Sequence, residues 1–307
     1  REVRVSMGTA IQFTGWIDDW DLTYNPSGNS IADAQATDAF TILANQKLTA
    51  GTPVQETTGE RIATVLNDPE VNWSTTLRDL DTGTVDVGTQ EIQANTNALT
   101  YMQKVAETEN GLFFVDKQGR VAFRDGIQAP SSANLVTFDQ GNNIPYRNIG
   151  IIYGSELLYN EVTIANQGGG TAVASSPSSQ GEYGIRQLTI TDLLGATDEQ
   201  SVDLAVKLVD LYSEPEYRVE TLEVALHDLD ATDQETVLGV ELGSVCKIEF
   251  TPNGIGDPIE RFVSVIRIEH SVRPDRHFAT FGFQEIKYLS LVLDDAVFGK
   301  LDEGTLG

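Results

Sequence analysis

The sequence predicts an α+β fold built mainly from antiparallel strands, and three observations predict it. Runs of alternating apolar and polar residues, bounded by Gly, Pro and Asn clusters, recur at residues 11–24, 217–226, 243–251, 259–270 and 277–285. Helical stripes with capping signals interrupt them near residues 57–69, 99–111 and 197–215. One stretch, ENGLFFVDKQGRVAFRD at residues 109–125, passes from the end of a helix straight into a tight hairpin.

In chain order, Arg1-Glu2-Val3-Arg4-Val5 reads as the middle of a strand, so the sequence is expected to begin inside an element with its true amino terminus missing. IQFTGWIDDWDLTY, residues 11–24, supplies one or two strands before the turn cluster Asn25-Pro26-Ser27-Gly28-Asn29. A short helix follows, with Thr37 as its N-cap and Phe40, Leu43 and Ala44 as its apolar stripe. Thr57-Thr58-Gly59-Glu60 has the spacing of a capping box; Ile62, Val65 and Leu66 share one face of the helix it starts, and Pro69 ends it.

Leu99, Met102, Val105 and Ala106 form the stripe of the next helix, which stops at a left-handed C-cap at Asn110-Gly111. Strands at 112–115 and 120–124 then flank Asp116-Lys117-Gln118-Gly119, where Gly119 suits the positive φ of a type I turn with a G1 bulge. Phe113, Phe114 and Phe123 are expected in the core rather than on a ligand-stacking platform.

Beyond the turn residues 128–132 the pattern becomes mostly β, with strands near 144–153, 160–166 and 185–191. NQGGGTAVASSPSSQGEYG, residues 166–184, is rich in Gly and Ser and is expected to be a long exposed loop. Its Gly triplet lacks the Gly-Lys-Ser/Thr ending and the helix that a phosphate loop needs. Thr197 to Gln200 again has capping-box spacing, and Val202, Ala205, Leu208, Val209 and Tyr212 give a helical stripe closed by Pro215. The four later strands pair antiparallel, with Asn253-Gly254 and Gly256-Asp257-Pro258 between the second and third. The closing LDDAVFGKLDEGTLG has no period and reads as an extended arm that docks on something.

Composition excludes several functions. A chain of 307 residues suggests about two domains. With 46 Asp plus Glu against 20 Lys plus Arg, the net charge of −26 rules out electrostatic attraction to a nucleic acid backbone or an anionic membrane. The same charge suits a surface that nucleic acid must slide past without sticking, although solubility alone would also account for it. No apolar run approaches the eighteen or so residues of a membrane span. The single Cys246 cannot form an intramolecular disulfide, and its strand context, SVCKI, makes it a small buried hydrophobe.

Reaction centres are scarce. His227 to Glu235 resembles a calcium loop only superficially, because Thr232 and Asp233 stand where an oxygen ligand and a Gly are needed; a strand-to-helix turn capped by Asp or Thr fits better. Strand alternation sends Asp19 and Asp21 to one side and Asp18 to the other. His270 and His277 flank a turn and read as structural, since no His-x-x-x-His or His-Glu-x-x-His helix exists to carry zinc. There is no Gly-x-Ser-x-Gly elbow, and Cys246 lacks a cysteine-protease signature. A paired-carboxylate hydrolase would draw on distant acids, and among 46 no pair stands out. Trp16, Trp20 and Trp73 could stack on sugars, but isolated Trp residues more often anchor cores and interfaces. No catalytic, cofactor or metal residue is assigned, and a structural protein is expected.

Five stretches carry a resemblance: FTGWIDDWDLTY, GERIATVLNDPEVNW, ALTYMQKVAETENGLFFVDKQGRVAFRD, YNEVTIANQGGG with SSQGEYGIRQLTI, and the closing LDDAVFGKLDEGTLG. Together they resemble a minor tail protein of a long-tailed bacteriophage of actinobacteria. The resemblance implies the tail-tip hub fold, similar to contractile-tail baseplate hubs and the amino-terminal part of tail-associated lysins. It implies two β-barrel-like hub domains with inserted helices and a helix-plus-hairpin unit. Residues 1–57 would be the remainder of the first barrel, 58–126 the α/β unit, 127–285 the second, mostly β domain, and 286–307 an arm reaching a neighbour. It further implies a homotrimer at the distal end of the virion tail, in contact with the tail tube, distal tail proteins, fibre or spike proteins and the tape-measure protein. DNA would pass an acidic channel during ejection without specific binding, and no cofactor is implied. The rival expectation is a distal receptor-binding protein that recognises a glycan through Trp16, Trp20 or residues 166–184.

Overall fold

The computed structural model describes residues 1–126, 135–141, 143–154, 157–252 and 256–286. The expected turn at 128–132, the Asn253-Gly254 turn and the arm from 287 onward lie outside the described residues. The chain divides into two compact units; the first gathers residues 1–126, 165–171 and 191–201, and the second gathers the remainder. The fold is α+β with mainly antiparallel sheets, as the periodicities predict.

The first unit opens with three antiparallel strands, β1 (Glu2–Met7), β2 (Ala10–Thr23) and β3 (Ile31–Thr37), in the order β1-β2-β3. Residues 11–24 thus give one long strand, bent by a bulge between Ile17 and Asp19. Helix α1 (Ala39–Leu43) follows, and its N-cap is Asp38, not Thr37: the Asp38 carboxylate accepts the Phe40 N–H at 2.9 Å. A carboxylate accepts more strongly than a hydroxyl, and burial raises the Asp38 pKa without depriving it of this bond. The helix ends before Ala44, which is exposed, so the stripe reduces to Ala39, Phe40 and Leu43.

Two short antiparallel pairs join β4 (Lys47–Leu48) to β8 (Thr96–Asn97) and β5 (Glu56–Thr57) to β7 (Asp86–Val87). Between them lies α2 (Thr58–Asn67), where the Glu60 carboxylate reaches back to the Thr57 N–H at 3.1 Å as the capping-box spacing requires. Its far end is closed by Arg78, whose guanidinium donates to the Leu66 carbonyl at 3.0 Å and to Asn67 Oδ1 at 2.8 Å. Helix α3 (Ala98–Thr108) is capped by Asn97, which accepts the Thr100 N–H at 3.0 Å. It stops where Asn110 turns left-handed at φ 56° and the Gly111 N–H returns to the Ala106 carbonyl.

The hairpin follows as expected, with β9 (Leu112–Val115) and β10 (Val121–Arg124) closed by Gly119 at φ 81°. Local pattern did not reveal its third strand: β6 (Arg78–Leu80) pairs with β10 in parallel. Ile62, Leu66, Met102, Val105, Val121 and Phe123 meet in this unit's core with Leu43 and, from a distant part of the chain, Leu194.

The second unit carries a seven-stranded sheet. Its strands are β11 (Val136–Asp139), β12 (Ile144–Pro145), β13 (Asn148–Tyr153), β17 (Tyr217–Ala225), β18 (Val245–Phe250), β19 (Ile259–Arg273) and β20 (Arg276–Glu285), in the order β12-β11-β18-β19-β20-β17-β13. The run at 144–153 is split in two, because Pro145 has no N–H to continue a ladder. Residues Phe138, Leu222, Ile248, Val265 and Phe281 are buried on this sheet.

A smaller sheet, in the order β15-β14-β16, contains β14 (Glu161–Asn166), β15 (Thr171–Ser175) and β16 (Gln187–Leu193), and along these strands the chain passes between the units. Residues 166–184 are therefore not one long exposed loop: they contain β15 and α4 (Pro177–Tyr183). The reason is the fully buried Asn160, whose amide donates to Ser179 Oγ at 3.1 Å and to the Gly184 carbonyl at 2.8 Å, and accepts the Arg186 N–H at 2.8 Å. A buried amide saturated in this way fixes a polar segment that composition alone marks as mobile.

Helix α5 (Asp198–Tyr212) begins where Gln200 Oε1 accepts the N–H groups of Ala196 and Thr197, reciprocated by the Gln200 N–H to Thr197 Oγ1. Its buried face is Leu204, Ala205, Leu208, Val209 and Leu211, whereas Val202 is 47% exposed. A stripe counted from Val202 starts one residue out of register, since Ser201 is the buried neighbour. Helix α6 (Ala231–Gly239) completes the described α-helices.

Candidate functional site

The sequence offers few groups capable of chemistry, and the fold occupies most of them structurally. Cys246 is fully buried, and burial pushes its thiol up to about 12, so it supplies no thiolate at neutral pH. In the segment 227–235, Asp230 is the N-cap of α6 and accepts the Asp233 N–H at 2.9 Å, which makes it a turn and a helix start.

All three histidines gather at the β19–β20 hairpin. His270 Nδ1 lies 3.0 Å from His277 Nε2, while His227 Nδ1 lies 3.1 Å from the His277 carbonyl and its ring meets Phe278 edge-on. Burial, and then the nearby His227, lower the His277 pKa. Hairpin register could have revealed the first pair: Val272 faces His277 across the ladder, so His270, two residues before Val272, shares its face. Nothing local announces His227, which arrives from another element. Among the described residues no group of three or more His, Cys, Asp or Glu could hold a metal ion.

The aromatic candidates divide. Trp73 donates its Nε1–H to the Leu77 carbonyl at 3.1 Å and packs on the first unit's core, as does Trp16. Phe123 is fully buried, Phe114 nearly so, and Phe113 stacks on Phe40 with centroids 5.1 Å apart. Trp20 alone among the three tryptophans is more than half exposed. A cleft of about 190 Å³ lined by Gln93, Thr100, Tyr101 and Lys104 is smaller than usual ligand pockets, which run from roughly 300 Å³. No helix of the described residues is long and apolar enough to cross a membrane.

Buried charge in the first unit holds loops together. Arg61, 1% exposed, pairs with Glu56 at 2.6 Å and donates to the Tyr101 hydroxyl and to the carbonyls of Val54 and Gly88. Buried Glu109 accepts the N–H groups of Thr84, Val85 and Gly126 at 3.1 to 3.2 Å, together with the Thr58 hydroxyl. Both groups are spent on their own fold. Asp79 bridges Arg120 and Arg124 at 2.9 Å on the hairpin, and its hydrogen bond from Arg124 lowers its pKa.

One exposed surface is the β2–β3 ribbon. Cross-strand partners share a face, so Trp20, Leu22, Ala32 and Ala34 form an apolar side, and Asp19, Asp21, Asp33 and Gln35 lie on the other. Trp20 and Leu22 are 52% and 55% exposed. Asp19 and Asp21 share a side as expected, whereas Asp18 stands in the bulge, where alternation no longer assigns a side. An amphipathic ribbon of this kind is suited to contact with protein.

No protein-family model matches the chain, and no curated protein matches it. Solved structures do. The chain is similar to the 43 kDa tail protein of prophage MuSo2 from Shewanella oneidensis, with a TM-score of 0.59, 15% identity and coverage of 92% of this chain and 80% of that one. The tail protein from Neisseria meningitidis MC58 superposes with a TM-score of 0.63 at 13% identity, over 92% of this chain and 83% of that one. The E. coli c3393 protein, a type VI secretion component described as structurally similar to T4 tail proteins gp27 and gp5, gives 0.51 at 10% identity, over 93% of this chain and 64% of that one. At these identities the likeness is one of fold.

Proposed function

We propose that this chain is a non-enzymatic structural component of a phage tail, acting as a homotrimeric hub at the tail tip. The observation that carries the reading is a fold shared over more than nine-tenths of the chain with phage tail proteins. In this reading the hub joins the tail tube of a long-tailed phage to distal adsorption proteins. Its net charge of −26 keeps phosphate from adhering as the genome leaves through the central channel. Spent side chains agree with the role: Cys246, Arg61, Glu109 and Asp230 each serve the fold.

Cryo-electron microscopy of intact tail tips tests the proposal. Three copies around the axis, with carboxylates along the lumen, are expected; isolated peripheral copies would refute the hub. The receptor-binding reading keeps the exposed Trp20 and the exposed positions of residues 166–184, whereas Trp16 and Trp73 pack on the core. Adsorption unchanged both by Trp20→Ala and by deletion within residues 166–184 would remove its support.

A further inference from the structure

Two exposed β-ribbons each carry a like-charge pair where a ladder places side chains directly opposite. On the first, Asp21 faces Asp33 across β2 and β3. Asp21 accepts only a long 3.4 Å bond from Gln35, and neither carboxylate meets a Lys or Arg among the described residues. On the second, Arg273 faces Arg276 at the tip of the β19–β20 hairpin. Arg276 touches only its neighbour Asp275, at 3.4 Å with both side chains mostly exposed. Like charges held directly opposite destabilise a ladder, so each ribbon bears a local cost in the isolated chain.

The two costs cancel if the ribbons meet. Both pairs are held at the same cross-strand spacing, roughly 5 Å, so two carboxylates are matched against two guanidiniums, the pairing for which Arg is suited. Among the described residues the Asp pair meets no cation and the Arg pair meets only the exposed Asp275, so both retain charge to offer a second copy. We propose that the Asp21–Asp33 face of one copy docks on the Arg273–Arg276 hairpin of the next. Such a contact joins two different surfaces and is therefore heterologous, the kind that generates a closed ring when the rotation allows. The inference rests on the self-assembly proposed above and specifies the interface. Its salt sensitivity follows from its exposure.

The test is the mass of the full chain by analytical ultracentrifugation over a concentration and salt series. The variants are Asp21→Arg with Asp33→Arg, Arg273→Asp with Arg276→Asp, and all four together. Each double reversal is expected to weaken association at least tenfold, and the quadruple swap to restore it. Far-UV circular dichroism checks the fold; should a reversed pair unfold, Asp21→Asn with Asp33→Asn replaces it and is read in the same way. Double variants that assemble like the wild type would overturn the proposal while leaving the hub intact. So would a wild-type chain that stays monomeric throughout the series. Three copies seen in tail tips despite either result would show that the trimer forms through another surface.

Discussion

Removing the Glu109 side chain should uncouple the loops of the first unit. Glu109 is 4% exposed, and its two oxygens accept three backbone N–H groups, from Thr84, Val85 and Gly126, besides the Thr58 hydroxyl. In Glu109→Ala the hydroxyl can rotate to another acceptor, but the three amides cannot. A buried donor left without a partner costs about 1–3 kcal/mol, and these three are only partly buried, which places each toward the lower end. Water entering the space recovers part of that, so we expect a net loss of about 4 kcal/mol. With a urea slope of about 2 kcal/mol/M, the midpoint falls by about 2 M. Trp16, Trp20 and Trp73 all lie in the first unit, so tryptophan fluorescence reports its unfolding selectively. Glu107→Ala, an exposed carboxylate on the same helix, is the control and should shift stability by less than about 0.5 kcal/mol. If Glu109→Ala matched this control, the assignment of Glu109 as the loop anchor would be wrong.

Further outcomes concern the second unit. Arg218, 8% exposed, pairs with Glu285 at 2.9 Å and donates to the Leu211 carbonyl at the end of α5. Arg218→Met should destabilise by about 3 kcal/mol, since it removes the nearer cation from a largely buried carboxylate and leaves it only Arg261 at 3.9 Å, and far-UV circular dichroism in urea reads the loss. The Cys246 thiol, pushed up to about 12, should react with thiol reagents at least about a hundredfold more slowly in the folded protein than in urea; equal rates would contradict its burial. His277 has a lowered pKa, so folding disfavours its protonated form. The associated stability is complete above the unfolded value of 6.5 and is lost as pH falls through and below it. Urea midpoints of the second unit should therefore drop between about pH 7.5 and pH 5, and His277→Gln should flatten the slope.

Signals confined to neighbouring residues were legible in the sequence. The Glu60 and Gln200 capping arms, the left-handed Asn110, the Gly119 turn and the β17, β18, β19 and β20 strands all follow from short-range sterics and hydrogen bonding. Errors arose where a distant partner decides. Residues 166–184 look like a loop until Asn160 saturates its amide against them, and β6 joins β10 in parallel without any local mark. Asp38 displaced Thr37 as a cap because neighbouring candidates compete by geometry that spacing does not encode. The charge pairs of the exposed ribbons require register, which is fixed only once the strands are matched.

The first unit is not continuous in the chain: residues 165–171 and 191–201 complete it after residue 126. During synthesis it must wait several seconds beyond residue 126 for Leu194, which joins its core and donates its N–H to Thr108 Oγ1 at 3.1 Å. The ribosome thus emits an unfinished body and about a third of the second unit before the first can close. Inheritance is constrained in the same way. A genetic crossover near residue 126 would pair one lineage's scaffold with another's closing segments, so productive recombination should favour exchange of the whole stretch through residue 201.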